Sequence, residues 1–283
     1  QKQWVYLADV AQRRHEENSA NKGRNLKIGN DHQLVEYIEH KIKNEKWSPA
    51  AVLGDLEQKG WPFAVRICVK TLYHYIDRDL FLGISNKDLL QKKKGEKQAV
   101  RKVRKVAWNN RAGKSIEERP ERVNQRQEFG HWEIDLVVGR QGSKPVILTL
   151  VERQTRKSIY VLVKNKTQKE VLQAVRRAHR RVKGDFTQVF KSITADNGSE
   201  FLDSKGLQKA AKCDEVYYAH PFSSWERGSN ENGNRILRRF LPKGTDFSTL
   251  KPRDLKRIED WVNNYPRKIF GYKTANDMYA AAA

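Results

Sequence analysis

The segment HWEIDLVV at residues 131–138 predicts a β-strand that carries a carboxylate, Asp135, directly before an apolar run. Two further acidic residues lie downstream: Asp196 follows the segment SITA, and Glu231 stands at the start of a helical pattern. Carboxylates on two strands and one later helix can converge on a pair of divalent cations, and oxygen ligands suit Mg²⁺ or Mn²⁺. Asp135, Asp196 and Glu231 are therefore the candidate catalytic and metal-binding residues.

The elements around this strand alternate in type. Three strands with short connections predict an antiparallel meander, after which helices and strands alternate. The predicted strands are residues 131–138, 146–152, 158–163, 191–195 and 215–219, and the predicted helices are 167–181, 199–212, 230–240, 252–265 and 274–279. The order β-β-β-α-β-α-β-α is that of an RNase H-like domain. The expected fold is therefore α/β, with a mixed five-stranded sheet and helices.

Other residues compete for the metal-binding role. Glu133 shares the strand face of Asp135, but it lies two residues away from the expected centre of the pocket. Glu200 stands in a segment that is expected to be core. A turn residue is the structural alternative for Asp196, and a first-turn helix residue is the alternative for Glu231. The three together favour a metal site, because like charges at close range need cations.

The chain is strongly basic, with 56 Lys and Arg against 34 Asp and Glu and a formal charge of +22. This excess indicates a polyanionic partner, and double-stranded DNA is the expected one, although a merely solvated surface is the alternative. No basic amphipathic helix dominates and no apolar run reaches the length of a membrane span, so we expect no membrane partner. Cys68 and Cys213 are too few for a cysteine-rich zinc site, and they suit a reducing, cytoplasmic location.

Residues 1–90 are predicted to form an all-α DNA-binding domain. Helical periodicity and a turn before the helix near residues 69–77 suit a helix-turn-helix. On that helix Lys70, Thr71 and His74 would project as groups that contact bases or phosphates in a major groove. A plain helical bundle is the alternative.

Residues 91–127 are expected to be a basic linker, since Lys and Arg dominate this segment and large apolar residues are almost absent. Lys102, Arg104 and Lys105 are predicted to contact phosphates rather than bases. The remaining residues, 128–283, form the predicted catalytic domain.

A second set of DNA contacts is expected beside Glu231. Trp225 and Arg227 lie on a loop just before the helix, where they could stack on an unpaired base or clamp a phosphate. Packing of the tryptophan over its own loop is the alternative. Arg235 and Arg238 continue the basic character along the helix.

Several segments, in this order, resemble transposases of the IS30 family. They are GHWEID at residues 130–135, TLVER at 149–153, TADNGSEF at 194–201, YAHP at 218–221, WERGSNEN at 225–232, PKGT at 242–245 and NYPRK at 264–268. The resemblance covers about residues 30–279. It implies a DDE transposase with Asp135, Asp196 and Glu231 as the triad, an RNase H-like domain and two divalent cations in each active site. It also implies another helix-turn-helix upstream, so the chain is expected to be truncated at its N-terminus.

The resulting hypothesis is DNA transposition, with binding to the terminal inverted repeats of an insertion sequence and metal-dependent strand cleavage and strand transfer into target DNA. No covalent enzyme–DNA intermediate is expected, because the carboxylates hold metals and do not attack. Two element ends must be bound, which predicts a homo-oligomer, at least a dimer, associated with the bacterial nucleoid in the cytoplasm. The alternatives are a non-catalytic regulator derived from a transposase and an RNase H-type nuclease.

Overall fold

The computed structural model describes residues 7–20, 26–29, 31–89, 113–182, 189–220 and 224–283. The chain divides into two compact units, Gln1–Leu89 and Leu90–Ala283. Most of the predicted linker, including Lys102, Arg104 and Lys105, lies outside the described residues. Within the described ranges, no helix combines the length and the apolar character that crossing a membrane requires.

The first unit is helical. Its helices are α1 (Ala8–Ala20), α2 (His32–Lys43), α3 (Pro49–Gln58) and α4 (Val69–Asp77). The predicted apolar face of α2, formed by Leu34, Ile38 and Ile42, is fully buried, and α3 packs against both α2 and α4. Helix α3 begins as its sequence predicts: the Ser48 side chain caps it by accepting from the amide of Ala51, and proline follows the cap.

The connection between α3 and α4 is not the short turn that the sequence predicts. It covers residues 59–68, whereas a helix-turn-helix uses about 3–4 residues. Hydrogen bonds hold this connection in a defined conformation. Trp61 is buried and its indole Nε1 donates to the carbonyl of Val65 at 2.8 Å, while the amide of Val65 donates to Asp31 at 3.1 Å.

The second unit is built on one mixed sheet. Its strands are β1 (Lys114–Ser115), β2 (His131–Val138), β3 (Val146–Glu152), β4 (Ser158–Val163), β5 (Ser192–Ala195) and β6 (Glu215–Tyr218), in the order β1-β6-β5-β2-β3-β4. The pairs β2–β3 and β3–β4 are antiparallel, which confirms the predicted meander. The pairs β2–β5, β5–β6 and β6–β1 are parallel. The α/β fold class is confirmed, with six strands instead of five.

The sixth strand, β1, comes from the end of the predicted linker. Its residues pair with Tyr217 and Tyr218 of β6, and a side chain on Gly113 would meet the Tyr218 ring at 2.1 Å. A little further on, the buried guanidinium of Arg119 donates to the Thr194 hydroxyl of β5 at 3.2 Å. Residues 113–127, which the sequence assigns to the linker, thus include a strand and a buried arginine that pack with the sheet.

Helices cover both faces of the sheet. They are α5 (Glu121–Asn124), α6 (Gln168–Arg181), α7 (Ser204–Ala211), α8 (Gly228–Leu237), α9 (Pro252–Asn264) and α10 (Ala275–Ala282). Alternation along β3 divides the core, because Leu148 and Leu150 point to the face covered by α6 and α7, and Ile147 points to the face covered by α8 and α9. Strand β3 is buried along its whole length, as a central strand covered on both faces must be.

We predict that Leu150→Ala destabilises the sheet unit by about 2–5 kcal/mol, because it leaves a cavity at a fully buried position in the central strand. The control is Val138→Ala at the end of β2, where the side chain is 50% exposed and the loss should stay below about 1 kcal/mol. Urea unfolding followed by tryptophan fluorescence measures both changes. Equal losses for the two variants would contradict the assigned core.

Candidate active site

Parallel pairing of β2 with β5 brings the first two candidate carboxylates to one end of the sheet. Glu133 is the last residue of β2 to pair with β5, and its partner is Thr194. When this register is continued by two residues, Asp135 stands opposite Asp196. The two strands are therefore neighbours, as convergence of the two carboxylates requires.

Arg227 lies between the two aspartates. One guanidinium nitrogen, Nη1, is 3.5 Å from Asp135 Oδ1, and the other, Nη2, donates to Asp196 Oδ2 at 3.2 Å. Nη1 also donates to the carbonyl of Ile134 at 3.3 Å. The single positive charge of the guanidinium thus offsets part of the repulsion between the two carboxylates. Sequence reasoning placed Arg227 at DNA, whereas here it binds the aspartates.

Each aspartate has one oxygen held by the protein and one oxygen turned to Arg227. Asp135 Oδ2 accepts from the Asn234 side chain at 2.6 Å, and Asn234 in turn accepts from the Thr149 hydroxyl at 3.2 Å. Asp196 Oδ1 accepts from the amide of Gly198 at 3.0 Å. These contacts fix the orientation of both carboxylates. The other two oxygens, Asp135 Oδ1 and Asp196 Oδ2, both face the Arg227 guanidinium.

The pKa of Asp135 is raised above its ordinary value, chiefly because burial penalises the charged form. The negative charge of Asp196 raises this pKa further, and the cation of Arg227 opposes the rise. The charge state of Asp135 therefore depends on whether a positive charge lies between the two aspartates.

The turn that carries Arg227 is held by a histidine–glutamate contact. Glu226 accepts from the amide of His220 at 2.8 Å, and its other oxygen lies 2.8 Å from His220 Nδ1. These bonds with Glu226 raise the pKa of the exposed His220 imidazole. Glu226 thereby connects the end of β6 to the segment just before α8. The side chain of Trp225 is outside the described residues, so its predicted DNA contact stays a prediction.

Glu231 is not beside the two aspartates. It lies exposed in the first turn of α8, on the wall of an open cavity of about 710 Å³. The other residues that line the cavity are Gly228, Asn232, Asn234, Arg235, Arg238 and Lys243. Across the ranges that the structure describes, no group of three or more His, Cys, Asp or Glu side chains is arranged to hold a metal ion. The structure thus brings Asp135 and Asp196 together and leaves Glu231 apart.

The donor chemistry at the two aspartates fits a hard divalent cation. Asp135 Oδ1 and Asp196 Oδ2 already share one positively charged partner, and carboxylate and amide oxygens are what Mg²⁺ and Mn²⁺ prefer. A cation at this point takes over the charge that Arg227 supplies. Asp135 and Asp196 are thus the residues that could hold it.

The competing glutamates are occupied. Glu133 is fully buried, pairs with the buried Arg153, and accepts from the amide of Asn230 at 2.9 Å. Glu200 is also buried, and its carboxylate lies 3.0 Å from Lys166 Nζ. Neither carboxylate reaches the point that Asp135 and Asp196 share in this arrangement.

The remaining predicted DNA contacts differ in exposure. Lys70 and His74 are exposed on α4, whereas Thr71 is half-buried and its hydroxyl lies 3.2 Å from Cys68 Sγ. Arg235 is exposed and donates to the Asn232 side chain at 2.8 Å. Arg238 is half-buried and donates to the carbonyl of Val138 at 2.8 Å, so it also joins the end of α8 to β2.

Comparisons with known proteins find similarity to an integrase core domain and to insertion-sequence transposases. The integrase core domain family matches residues 125–221. The chain is 42% identical over 217 residues to a probable transposase for the insertion-like sequence element IS1161 from Streptococcus salivarius, covering 76% of this chain and 59% of that protein. It is 32% identical over 243 residues to the transposase for insertion sequence element IS4351 from Bacteroides fragilis, covering 84% and 71%.

A third relative is the transposase InsI for insertion sequence element IS30A from Escherichia coli (strain K12). The chain is 31% identical to it over 245 residues, which cover 82% of this chain and 61% of that protein. The matched region thus spans between 59% and 71% of the length of these relatives.

The position of Arg227 yields a prediction about charge. Since the pKa of Asp135 is raised, the folded chain holds this proton more tightly than the unfolded chain does. This contribution to stability is present at low pH and is lost as the pH rises from the ordinary aspartate value through the folded pKa. Arg227→Gln should raise the pKa of Asp135 further, and Asp196→Asn should lower it.

Carboxyl NMR titration in metal-free buffer measures both shifts. The matched control is Arg235→Gln, since the bond of that arginine to Asn232 leaves both aspartates untouched. A pKa of Asp135 that is the same in Arg227→Gln and in the unaltered chain would show that the guanidinium is not its partner in solution.

Proposed function

The chain belongs to the IS30 family of insertion-sequence transposases, and from this we propose that it catalyses metal-dependent DNA strand cleavage and strand transfer, with Asp135, Asp196 and Glu231 as the catalytic carboxylates. The observation that carries the proposal is the pair of aspartates at neighbouring strands, each presenting one carboxylate oxygen to the Arg227 guanidinium. Such an acidic pair in a chain of charge +22 suits chemistry on a polyanion.

Asp135 and Asp196 would hold the divalent cations, with Glu231 as the third ligand. Two Mg²⁺ or Mn²⁺ ions in each active site supply Lewis acidity to the attacking and leaving oxygens of a phosphodiester. The contacts from Asn234 and Gly198 keep the carboxylates oriented for this task. Since such ligands bind metal and do not attack phosphorus, the reaction proceeds without a covalent enzyme–DNA intermediate.

Arg227 would change partner when the site is loaded. Its guanidinium contacts the same two carboxylate oxygens that would hold a divalent cation, so these contacts would have to open when the cation binds. A phosphate oxygen is then its best partner, because guanidinium and phosphate form strong charge-assisted hydrogen bonds. Arg227 would thereby make the DNA contact that the sequence predicts for it.

The cavity beside Glu231 is the proposed seat of the DNA backbone. Arg235, Arg238 and Lys243 line it, and their positive charges surround the one carboxylate on its wall. Lys and Arg gain affinity for DNA by releasing the counterions that phosphates condense. A strand bound here would lie beside the helix turn that carries Glu231.

The partners follow from the proposed reaction. We propose that the protein binds the terminal inverted repeats of an insertion sequence and a target duplex, and that it works as an oligomer, at least a dimer, so that two ends are held together. Its place of action would be the bacterial cytoplasm, at the nucleoid.

We predict that Asp135→Asn and Asp196→Asn reduce strand cleavage and strand transfer by more than about 100-fold, because residues that merely support metal ligands already change metal affinity or activity by about 10–100-fold. Both steps should fail together, since one pocket serves both, and Glu231→Gln should follow with a similar or somewhat smaller loss. Nicking and joining of labelled DNA ends in Mg²⁺ measure the two steps.

A matched control is Asp260→Asn, because that exposed residue pairs with Lys256 on its own helix, α9. DNA binding should persist in all variants. Normal cleavage by all three triad variants would overturn the proposal. Binding of DNA ends by an unaltered chain that never nicks them would favour the regulator instead, and preferential cleavage of RNA–DNA hybrids would favour an RNase H-type nuclease.

We also propose that α4 reads the DNA sequence, since Lys70 and His74 are exposed on adjacent turns of it. Replacing both with Ala should reduce the preference for specific over random DNA, because a base-contacting pair contributes about 1–3 kcal/mol of discrimination. Fluorescence anisotropy with the two DNA classes measures this preference. Lys43→Ala, an exposed lysine at the end of α2, is the control and should leave the preference unchanged. Unchanged specificity in the α4 variant would place the sequence reader elsewhere.

A further inference from the structure

The first turn of α8 is capped by a residue from another element. The position before the helix is Arg227, whose side chain makes no capping bond. Instead, Glu133 on β2 accepts from the amide of Asn230 at 2.9 Å, and that amide is one of the helix N–H groups that lack a partner within the helix. A carboxylate at this end is also favoured by the helix dipole. Strand β2 therefore provides the cap of the helix that carries Glu231.

Glu133 has little freedom to move from this position. Its side chain is fully buried and pairs with Arg153, which is 3% exposed. The Arg153 guanidinium also donates to the carbonyls of Val123 and Asn124, each at 3.3 Å. Displacing the glutamate would leave a buried charge without a partner, which is strongly unfavourable. The cap is thus a fixed reference point in the core.

A second contact joins the same strand to the same helix one turn later. Asn234 of α8 donates to Asp135, so residues two apart on the strand bind residues four apart on the helix. Two strand residues rise about 6.7 Å and four helix residues rise about 6 Å, so the spacings match. Two bonds one helical turn apart therefore tie α8 to β2. Glu231 directly follows the first of the two helix positions.

We propose that Glu133 is a positioning residue, which sets the place of Glu231 relative to Asp135 without binding metal or DNA. This inference rests on the proposed function for the roles of Asp135 and Glu231. Its geometric part, that Glu133 fixes the first turn of α8, stands on the bonds of Glu133 alone.

A buried glutamate of the same kind provides the control. Glu259 is 4% exposed, accepts from the amide of Tyr160 at 2.7 Å, and pairs with Arg181 at 2.6 Å. Its bonding partners include the same types as those of Glu133, a backbone amide and an arginine, and Lys256 Nζ lies 3.4 Å from its carboxylate as well. These partners tie α9 to β4 and α6 and do not involve α8. A substitution at Glu259 should therefore reproduce the loss of a buried bond. It should not reproduce an effect that acts through α8.

The test compares Glu133→Asp with Glu259→Asp in the full chain. Each keeps the charge but shortens the side chain by one methylene, which pulls the carboxylate away from the backbone amide. Both variants should lose a similar amount of thermal stability. Only Glu133→Asp should need a higher Mn²⁺ concentration for half-maximal DNA cleavage, by roughly 10-fold, the lower end of the effect of residues that orient metal ligands. Equal Mn²⁺ dependence in the two variants overturns the proposal.

Hydrogen–deuterium exchange gives a readout that is independent of catalysis. Glu133→Asp should speed exchange in a peptide that covers Gly228–Leu237, whereas Glu259→Asp should speed it in Ser158–Val163. Unchanged exchange in α8 overturns the positioning role even if cleavage falls. Faster exchange in α8, in a chain whose unaltered form never cleaves DNA, supports the positioning role and counts against the proposed function instead.

Glu133→Gln supplies a second variant in case Glu133→Asp does not fold. It keeps the side-chain length and an oxygen that can accept from the Asn230 amide, but it removes the charge that pairs with Arg153. Exchange in α8 and a Mn²⁺ requirement that stay close to those of the unaltered chain support the inference. A loss of cleavage as complete as that of Asp135→Asn, with unchanged exchange in α8, overturns it. Complete loss of Mn²⁺ binding in Glu133→Asp, measured by calorimetry and equal to that of Asp135→Asn, would make Glu133 a ligand and overturn the positioning role.

Discussion

Repulsion between Asp135 and Asp196 is the constraint around which the second unit is arranged. The parallel register of β2 and β5 forces the two side chains to the same end of the sheet, and burial raises the cost of ionising Asp135. Three neighbours stabilise the two carboxylates: a guanidinium that contacts both of them, an asparagine from α8, and a backbone amide after β5. The site is thus fully bonded in this state, and any cation that binds there competes with an arginine.

Charged side chains also lie beneath the site, where they pair with each other and with backbone groups. Glu133 and Arg153 are buried together, and each also bonds backbone groups of a neighbouring segment. Buried ion pairs add little net stability relative to apolar residues, but removing one partner is costly. Such a pair therefore suits the specification of a single arrangement. It explains why the strand segment at residues 131–138 carries two acidic residues. Asp135 belongs to the site itself, and Glu133 supports the site from the core.

Local sequence patterns predicted β2, β5 and the helix of Glu231, because apolar strands and helix starts leave signals within a few residues. They could not predict that Arg227 bridges the aspartates or that Asn234 binds Asp135, since both contacts join segments far apart in the chain. The two-residue strand β1 is too short to show any periodicity. Its pairing depends on the exposed edge that β6 offers, and on a glycine beside Tyr218.

Strand β1 has a practical consequence for anyone who dissects this chain. A fragment that starts at residue 128, where composition suggests a boundary, loses the partner of β6 and the Arg119 bond to β5. The unpaired edge of β6 would then offer free backbone groups to the same edge of another molecule, a common route to aggregation. A soluble catalytic fragment must therefore keep residues 113–127, even though the sequence assigns them to the linker.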